Sequence, residues 1–261
     1  MLKRKIQMEI KFLSSLKKSY NIMKDEILNW QWFRDFFNIT IFKYFVTWFA
    51  FVPIFAKLSE YLPKEIKIQL NQSDSYIVNL ELPFKWEILW VSSLSFVMAY
   101  LLYIIFAPTF VKRYFSLKDY KEYEHSPRWI VFESQKLIKS KYVDIDKFVG
   151  RMVKKKYFKK VNNIFEFNDK NVIVDNMQTY LMLKYKDEYY NFAMPILINN
   201  HENEILTEIA VREVFWEIFA RFSASKFGVR FLIQVLLMIS LITFAFPFIE
   251  SIISGFQYLI K

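Results

Sequence analysis

Arg151, Lys154, Lys155, Lys156, Lys159 and Lys160 crowd into one short stretch, with Tyr157 and Phe158 between them. Positive charge at that density attracts phosphate, whether on an anionic lipid, a nucleotide or nucleic acid. A cytoplasmic helix face of a membrane protein carries the same signature, because basic residues stay on the inner side. No RNA-binding aromatic motif or helix-turn-helix spacing accompanies the cluster. Nucleic acid or a nucleotide is therefore a partner that the charge allows and no motif supports. The expected role of these six residues is contact with anionic lipid or an anionic ligand.

Acid–base chemistry has two imidazoles to draw on. His125 lies near Glu122, Glu124 and Ser126, and His201 lies beside Glu202 and near Glu204. Carboxylate–imidazole pairs tune general bases, yet neither histidine belongs to a nucleophile motif. Both fall at loop or cap positions and read as surface histidines. Two histidines and no cysteine leave no multi-histidine or thiolate metal site, no disulfide and no cysteine nucleophile. Three glycines in 261 residues leave no loop of the phosphate-cradling type. The expectation is a non-enzymatic protein with no catalytic residue, no cofactor and no metal.

The elements that must carry this cluster are dominated by apolar runs. Residues 88–111 read ILWVSSLSFVMAYLLYIIFAPTFV without a charge, long enough to cross a hydrocarbon core of roughly 30 Å as a helix. Trp86 and Trp90 sit at the end bounded by Glu87, and Lys112 and Arg113 close the other end. Residues 39–58 read as an earlier span, with Lys43 and Lys57 near its ends and Pro53 as a kink or close-packing point. Residues 231–249 read as a third span. Its tail is expected to turn at Pro247 and lie along the outer interface; a tilted helix that places Glu250 inside the membrane is the alternative. Ser92, Ser93, Ser95, Gln234, Ser240 and Thr243 are the expected packing residues of these spans. Small and hydroxylated side chains let helices approach, and each polar group seeks a partner worth roughly 0.6–2 kcal/mol.

Outside the spans, residues 1–38 have an amphipathic pattern, with Ile6, Ile10, Leu13 and Leu16 at helical spacing among lysines. Trp30, Trp32, Phe33, Phe36 and Phe37 form an expected aromatic belt before the first span. Residues 63–83 alternate apolar and polar around 71–75 and read as a β-hairpin. Residues 112–228 mix helix and strand. Helices are expected at 129–140 and 144–161, and strands at 172–174, 179–186 and 189–196. An amphipathic helix follows at 202–221, with Ile205, Ile209, Val214 or Phe215, Ile218 and Phe222 on its apolar side.

The fold class expected is an α-helical membrane protein of about three transmembrane helices, with a cytosolic α+β domain and a short extracytoplasmic β-hairpin. Its domains are a cytosolic or interfacial segment 1–38, a transmembrane hairpin 39–111, the α+β domain 112–228, and the third helix and tail 229–261. The basic N-terminus and basic residues after 111 place both inside and the hairpin outside. Net charge of +10 and 20% aromatic residues suit anionic headgroups and bilayer interfaces. Residues with AT-rich codons (Lys, Ile, Asn, Phe, Tyr) are favoured, an association that suggests a bacterial gene. The expected function is a multi-pass sensor or effector of the bacterial cytoplasmic (inner) membrane, in anti-phage defence. Its cytosolic domain would bind a partner protein or anionic ligand and act through a homo-oligomeric bundle in contact with membrane lipids. The alternatives are a toxin-immunity membrane protein, or a membrane enzyme or transporter acting on lipid or a small solute.

Overall fold

The computed structural model describes residues 29–40, 61, 65–69, 75–79, 86–161 and 171–260, with isolated positions between 44 and 58. The amphipathic pattern of 1–28 and most of the first expected span lie outside the described residues. Among the described residues the chain is mostly helical with a small antiparallel sheet. Two compact units divide it: one takes 1–34 and 107–227, the other 35–106 and 228–261.

In the second unit, α2 (Trp86–Phe106) and α8 (Phe227–Ile260) are, among the described residues, the two helices long and apolar enough to cross a membrane. Both keep apolar side chains on their outside, among them Met98, Leu101 and Ile105 on α2 and Leu232, Ile242, Phe246 and Ile253 on α8. Where the helices meet, Ser92 is fully buried and its Oγ donates to the Ser240 carbonyl at 2.8 Å. Phe37, near the end of α1 (Trp30–Asn38), packs edge-on against Phe96 at 5.8 Å and lies 5.1 Å from the Tyr103 ring. β1 (Glu65–Gln69) and β2 (Ser75–Asn79) pair antiparallel, in the expected hairpin region.

Two span boundaries differ from expectation. The second apolar run stops being one helix at Phe106, since Pro108 lacks an N–H and biases Ala107 away from helix. Its last residues form α3 (Thr109–Arg113), whose Phe110 and Val111 are buried in the α+β unit. The expected turn at Pro247 is also absent, because α8 continues through it. One lost hydrogen bond at a proline is outweighed by the helical bonds made over 248–260.

The first unit is the α+β part. After α4 (Leu117–Glu122), opened by a Ser116–Asp119 capping box, come α5 (Trp129–Lys139) and α6 (Ile145–Lys154). α5 buries Ile130, Val131, Leu137 and Ile138, and α6 buries Phe148, Val149 and Met152. The chain then forms β3 (Lys159–Lys160), β4 (Val172–Val174), β5 (Thr179–Tyr185) and β6 (Glu188–Met194), in the order β3-β6-β5-β4. Lys186 and Asp187, both in the left-handed region, close the β5–β6 hairpin as a two-residue turn whose twist suits antiparallel strands. β7 (Leu197–Ile198) and β8 (His201–Glu202) lead into α7 (Glu204–Ser223), capped by Asn203.

Three details of this unit correct the sequence reading. The helix expected over 144–161 ends at Lys154, where Tyr157 and Phe158 both donate to the Met152 carbonyl and Lys156 turns left-handed. That exit brings Phe158 to the rings of Phe148 and Phe192, a packing gain that a longer helix would forgo. On α7 the buried face runs through Thr207, Ala210, Val214, Phe215, Ile218 and Phe219, while Ile205 stays 73% exposed. Thr207 Oγ1 accepts from the Ile196 N–H at 2.9 Å, which turns that face inward. Finally, Trp30 and Phe33 are wholly buried rather than part of an interfacial belt, and Trp30 Nε1 donates to the Ser225 carbonyl at 2.9 Å.

Candidate functional site: a basic cleft beside the sheet edge

The six clustered cations do not act as one patch. Arg151 Nε donates to Glu217 Oε1 at 2.7 Å, and Lys155 lies 3.2 Å from the same carboxylate and 3.3 Å from Glu213. Glu217 is only 5% exposed, so its charge requires such partners to be tolerated. Lys160 donates to Glu188 at 2.6 Å, and the Tyr190 hydroxyl donates to the other oxygen of that carboxylate. Lys154, Lys156 and Lys159 are exposed and carry no ion pair among the described residues. Three of the six are thus tied into the fold, and three are available.

Lys156 and Lys159 stand at a cleft of about 190 Å³, with Tyr157, Gln178, Tyr180 and Asn191 among its walls. The cleft opens because β3 pairs with β6 only at Lys159–Asn191 and Lys160–Tyr190. Toward Ala193 the two chains part, since Lys156 turns left-handed and carries Tyr157 away from the ladder. Val161 donates to Tyr189, so odd-numbered residues of β6 aim their main-chain groups toward β3. Ala193 follows the same alternation, and no main-chain bond joins it to Tyr157. Its N–H is a further donor toward the cleft. Tyr180 pairs with Ala193 across β5–β6, which places both on the sheet face that also carries Asn191 and Lys159.

The electrostatics of the cleft are one-sided. Among the described residues no carboxylate lines it. Burial first, then the charge of Glu213 and a hydrogen bond to it, push the Tyr157 phenol up to about 12, so this hydroxyl stays neutral near pH 7. Gln178 Nε2 donates to the Pro195 carbonyl, which orients the side-chain amide. Lysine ammoniums, amides and a main-chain N–H thus lie around two tyrosine rings, cationic and neutral donors beside flat aromatic faces. The basic cluster was legible in the chain, but Gln178, Tyr180 and Asn191 were not singled out. The signal was there in the alternation of β5, where Leu181 and Leu183 go inward and Tyr180 and Met182 lie on the other face.

The other sequence candidates are placed as follows. His125 is not a simple surface histidine. It stacks between Tyr123, at 5.5 Å and 5°, and Trp129, at 5.1 Å and 11°. Its Nε2 is 2.9 Å from the Tyr114 hydroxyl. Burial, then the nearby Arg113 and Lys136 cations, hold its pKa below the ordinary histidine value, with Glu133 opposing them. His201 is exposed on β8. Among the packing candidates, Ser95 and Thr243 donate to carbonyls of their own helices, Val91 at 2.9 Å and Ile239 at 2.8 Å. Ser93 Oγ and Gln234 Oε1 are buried without a hydrogen bond among the described residues. No protein family model, curated protein or solved structure matches this chain.

Proposed function

We propose that the chain is a non-enzymatic multi-pass sensor or effector of the bacterial cytoplasmic membrane. In this reading its α+β unit binds an anionic ligand or partner, and its apolar helices relay the response as a homo-oligomeric bundle. The observation that carries the reading is a cleft that, among the described residues, is lined by Lys156 and Lys159 without an ion pair and by no carboxylate, in a chain whose longest helices expose apolar side chains. Only 28% and 22% of the most apolar windows of α2 and α8 are buried, which supports a membrane setting for them. Each further Å² of such surface left in water costs about 25 cal/mol, and hydrocarbon removes that penalty.

Membrane integration is tested by carbonate extraction of cells expressing the chain: retention in the pellet is expected, and release into the supernatant overturns it. Ligand binding is tested by anion titration of the solubilised protein. Saturable binding weakened by K156Q/K159Q supports the reading, and indifference to those substitutions removes it. The setting proposed is anti-phage defence. Expression in a phage-challenged bacterial host should lower plaque number, and the same double substitution should restore it.

A further inference from the structure

We infer that the cleft takes a free nucleotide, with the phosphate on Lys156 and Lys159 and the base against Tyr180. This deepens the anionic-ligand reading and rests on it. The walls divide by chemistry. Lys159 lies in register with Asn191, so an ammonium and an amide share one edge of the cleft. Lysine binds phosphate as a point charge, and the neighbouring Lys156, also unpaired, doubles that charge. The Ala193 N–H, on the β3-facing edge of β6, is a further donor.

The Tyr180 ring and the Gln178 amide complete the lining beside Asn191. Asn and Gln present a donor and an acceptor side by side, which is the complement of a base edge, and aromatic rings stack bases. Asn191 makes no side-chain hydrogen bond among the described residues, and Gln178 uses its Nε2 on Pro195, which leaves its Oε1 as an acceptor. A simple anion would need the lysines alone and would leave the rings and amides unused. An aliphatic anion would leave the amides unpaired. The volume of about 190 Å³ lies below the roughly 300–1,000 Å³ of drug-sized sites, so the cleft admits one ring with its phosphate at the mouth. It does not accommodate a run of stacked bases, which favours a free nucleotide over a strand.

The experiment uses the full chain in nanodiscs of zwitterionic lipid, which removes competing anionic headgroups. Calorimetric titration compares AMP, GMP, CMP and UMP with the matching nucleosides, inorganic phosphate and a six-residue oligonucleotide. At least one mononucleotide should bind on the order of tenfold more tightly than phosphate and than its own nucleoside. K156Q/K159Q should weaken the nucleotide by a similar factor and leave the nucleoside unchanged. Y180A should weaken nucleotide and nucleoside but not phosphate, and Y180F, which keeps the ring, should bind like the unaltered chain. Phosphate binding as tightly as every mononucleotide overturns the inference and leaves the anion reading standing, provided K156Q/K159Q abolishes it. Preference for the oligonucleotide also overturns the inference, since the ligand is then a strand. If none of these anions responds to K156Q/K159Q, the inference and the anion reading fall together.

Discussion

The cations of one short stretch have two different jobs, and the difference is set by what each side chain can reach. Arg151 and Lys155 neutralise Glu217, whereas Lys154, Lys156 and Lys159 are exposed and carry no ion pair among the described residues. Replacing the last three with Gln should change unfolding stability by no more than about 0.5 kcal/mol, as at ordinary surface positions. R151Q/K155Q leaves a buried carboxylate without a cation and should cost about 2 kcal/mol, reduced from the fully buried case because both cations are partly exposed. Denaturant titration of the two variants separates these outcomes. His125 gives a second residue-level expectation. Its folded-state pKa lies below the ordinary 6.5, so the unfolded chain binds the proton more readily. The contribution of His125 is therefore complete above about pH 6.5 and is lost as pH falls below it toward the folded value. The thermal midpoint should drop between pH 7.5 and 5, and H125F, which keeps the stack, should drop less over the same range. An equal drop in both proteins would assign the effect to carboxylates instead.

Among the elements, α8 is the clearest case where one local signal was outweighed by the rest of its helix. A proline and a following glutamate suggested a turn, yet the helix is continuous from Phe227 to Ile260. Spin labels at the exposed positions Ile239 and Phe256 should lie about 25 Å apart along the axis, from 1.5 Å per residue. A turn at Pro247 would shorten the separation markedly in a pulsed dipolar measurement. Gln234, on the same helix, has a buried amide oxygen with no hydrogen bond among the described residues. Exchanging an unsatisfied polar group for an apolar one of similar size is neutral or favourable, so Q234L should leave stability unchanged or raise it by about 1 kcal/mol. A loss would mean that the amide has a partner in the membrane-embedded assembly, and cross-linking of wild type and Q234L in native membranes would identify whether it is a second copy.

At the scale of the whole molecule, the proposal stands on two different kinds of unit joined in one chain. The first is a small α+β body with a donor-rich cleft, and the second is a pair of long helices with apolar outsides. The sidedness proposed for them comes from basic residues concentrated after 111 and near the N-terminus. Single cysteines at Ser73 and at the exposed Tyr142 should react oppositely with an impermeant thiol reagent on intact cells. The chain has no native cysteine to confuse the labelling. Equal reaction at both sites would end the proposed topology.

What the chain declares locally survived into the structure. Helices 129–139 and 204–223 and strands 172–174, 179–185 and 188–194 all fall close to where periodicity and turn residues put them, since those signals act over a few residues. The shared property of the apolar runs, composition without charge, is likewise a property of the sequence. Which partner each surface residue meets is not. Trp30 became core because a carbonyl near residue 225 lies within reach of its indole, far away along the chain. Ile205 and Ile209 lost the buried face of α7 to Thr207 and Ala210 because a hydrogen bond from Ile196 sets the rotation of the helix. The cleft exists only because β3 stops pairing after two residues and lets Lys156 and Tyr157 swing away from β6. Spacing can announce a helix or a strand, but pairing, rotation and the gap between two strands depend on contacts between distant parts of the chain, and tertiary packing decides those.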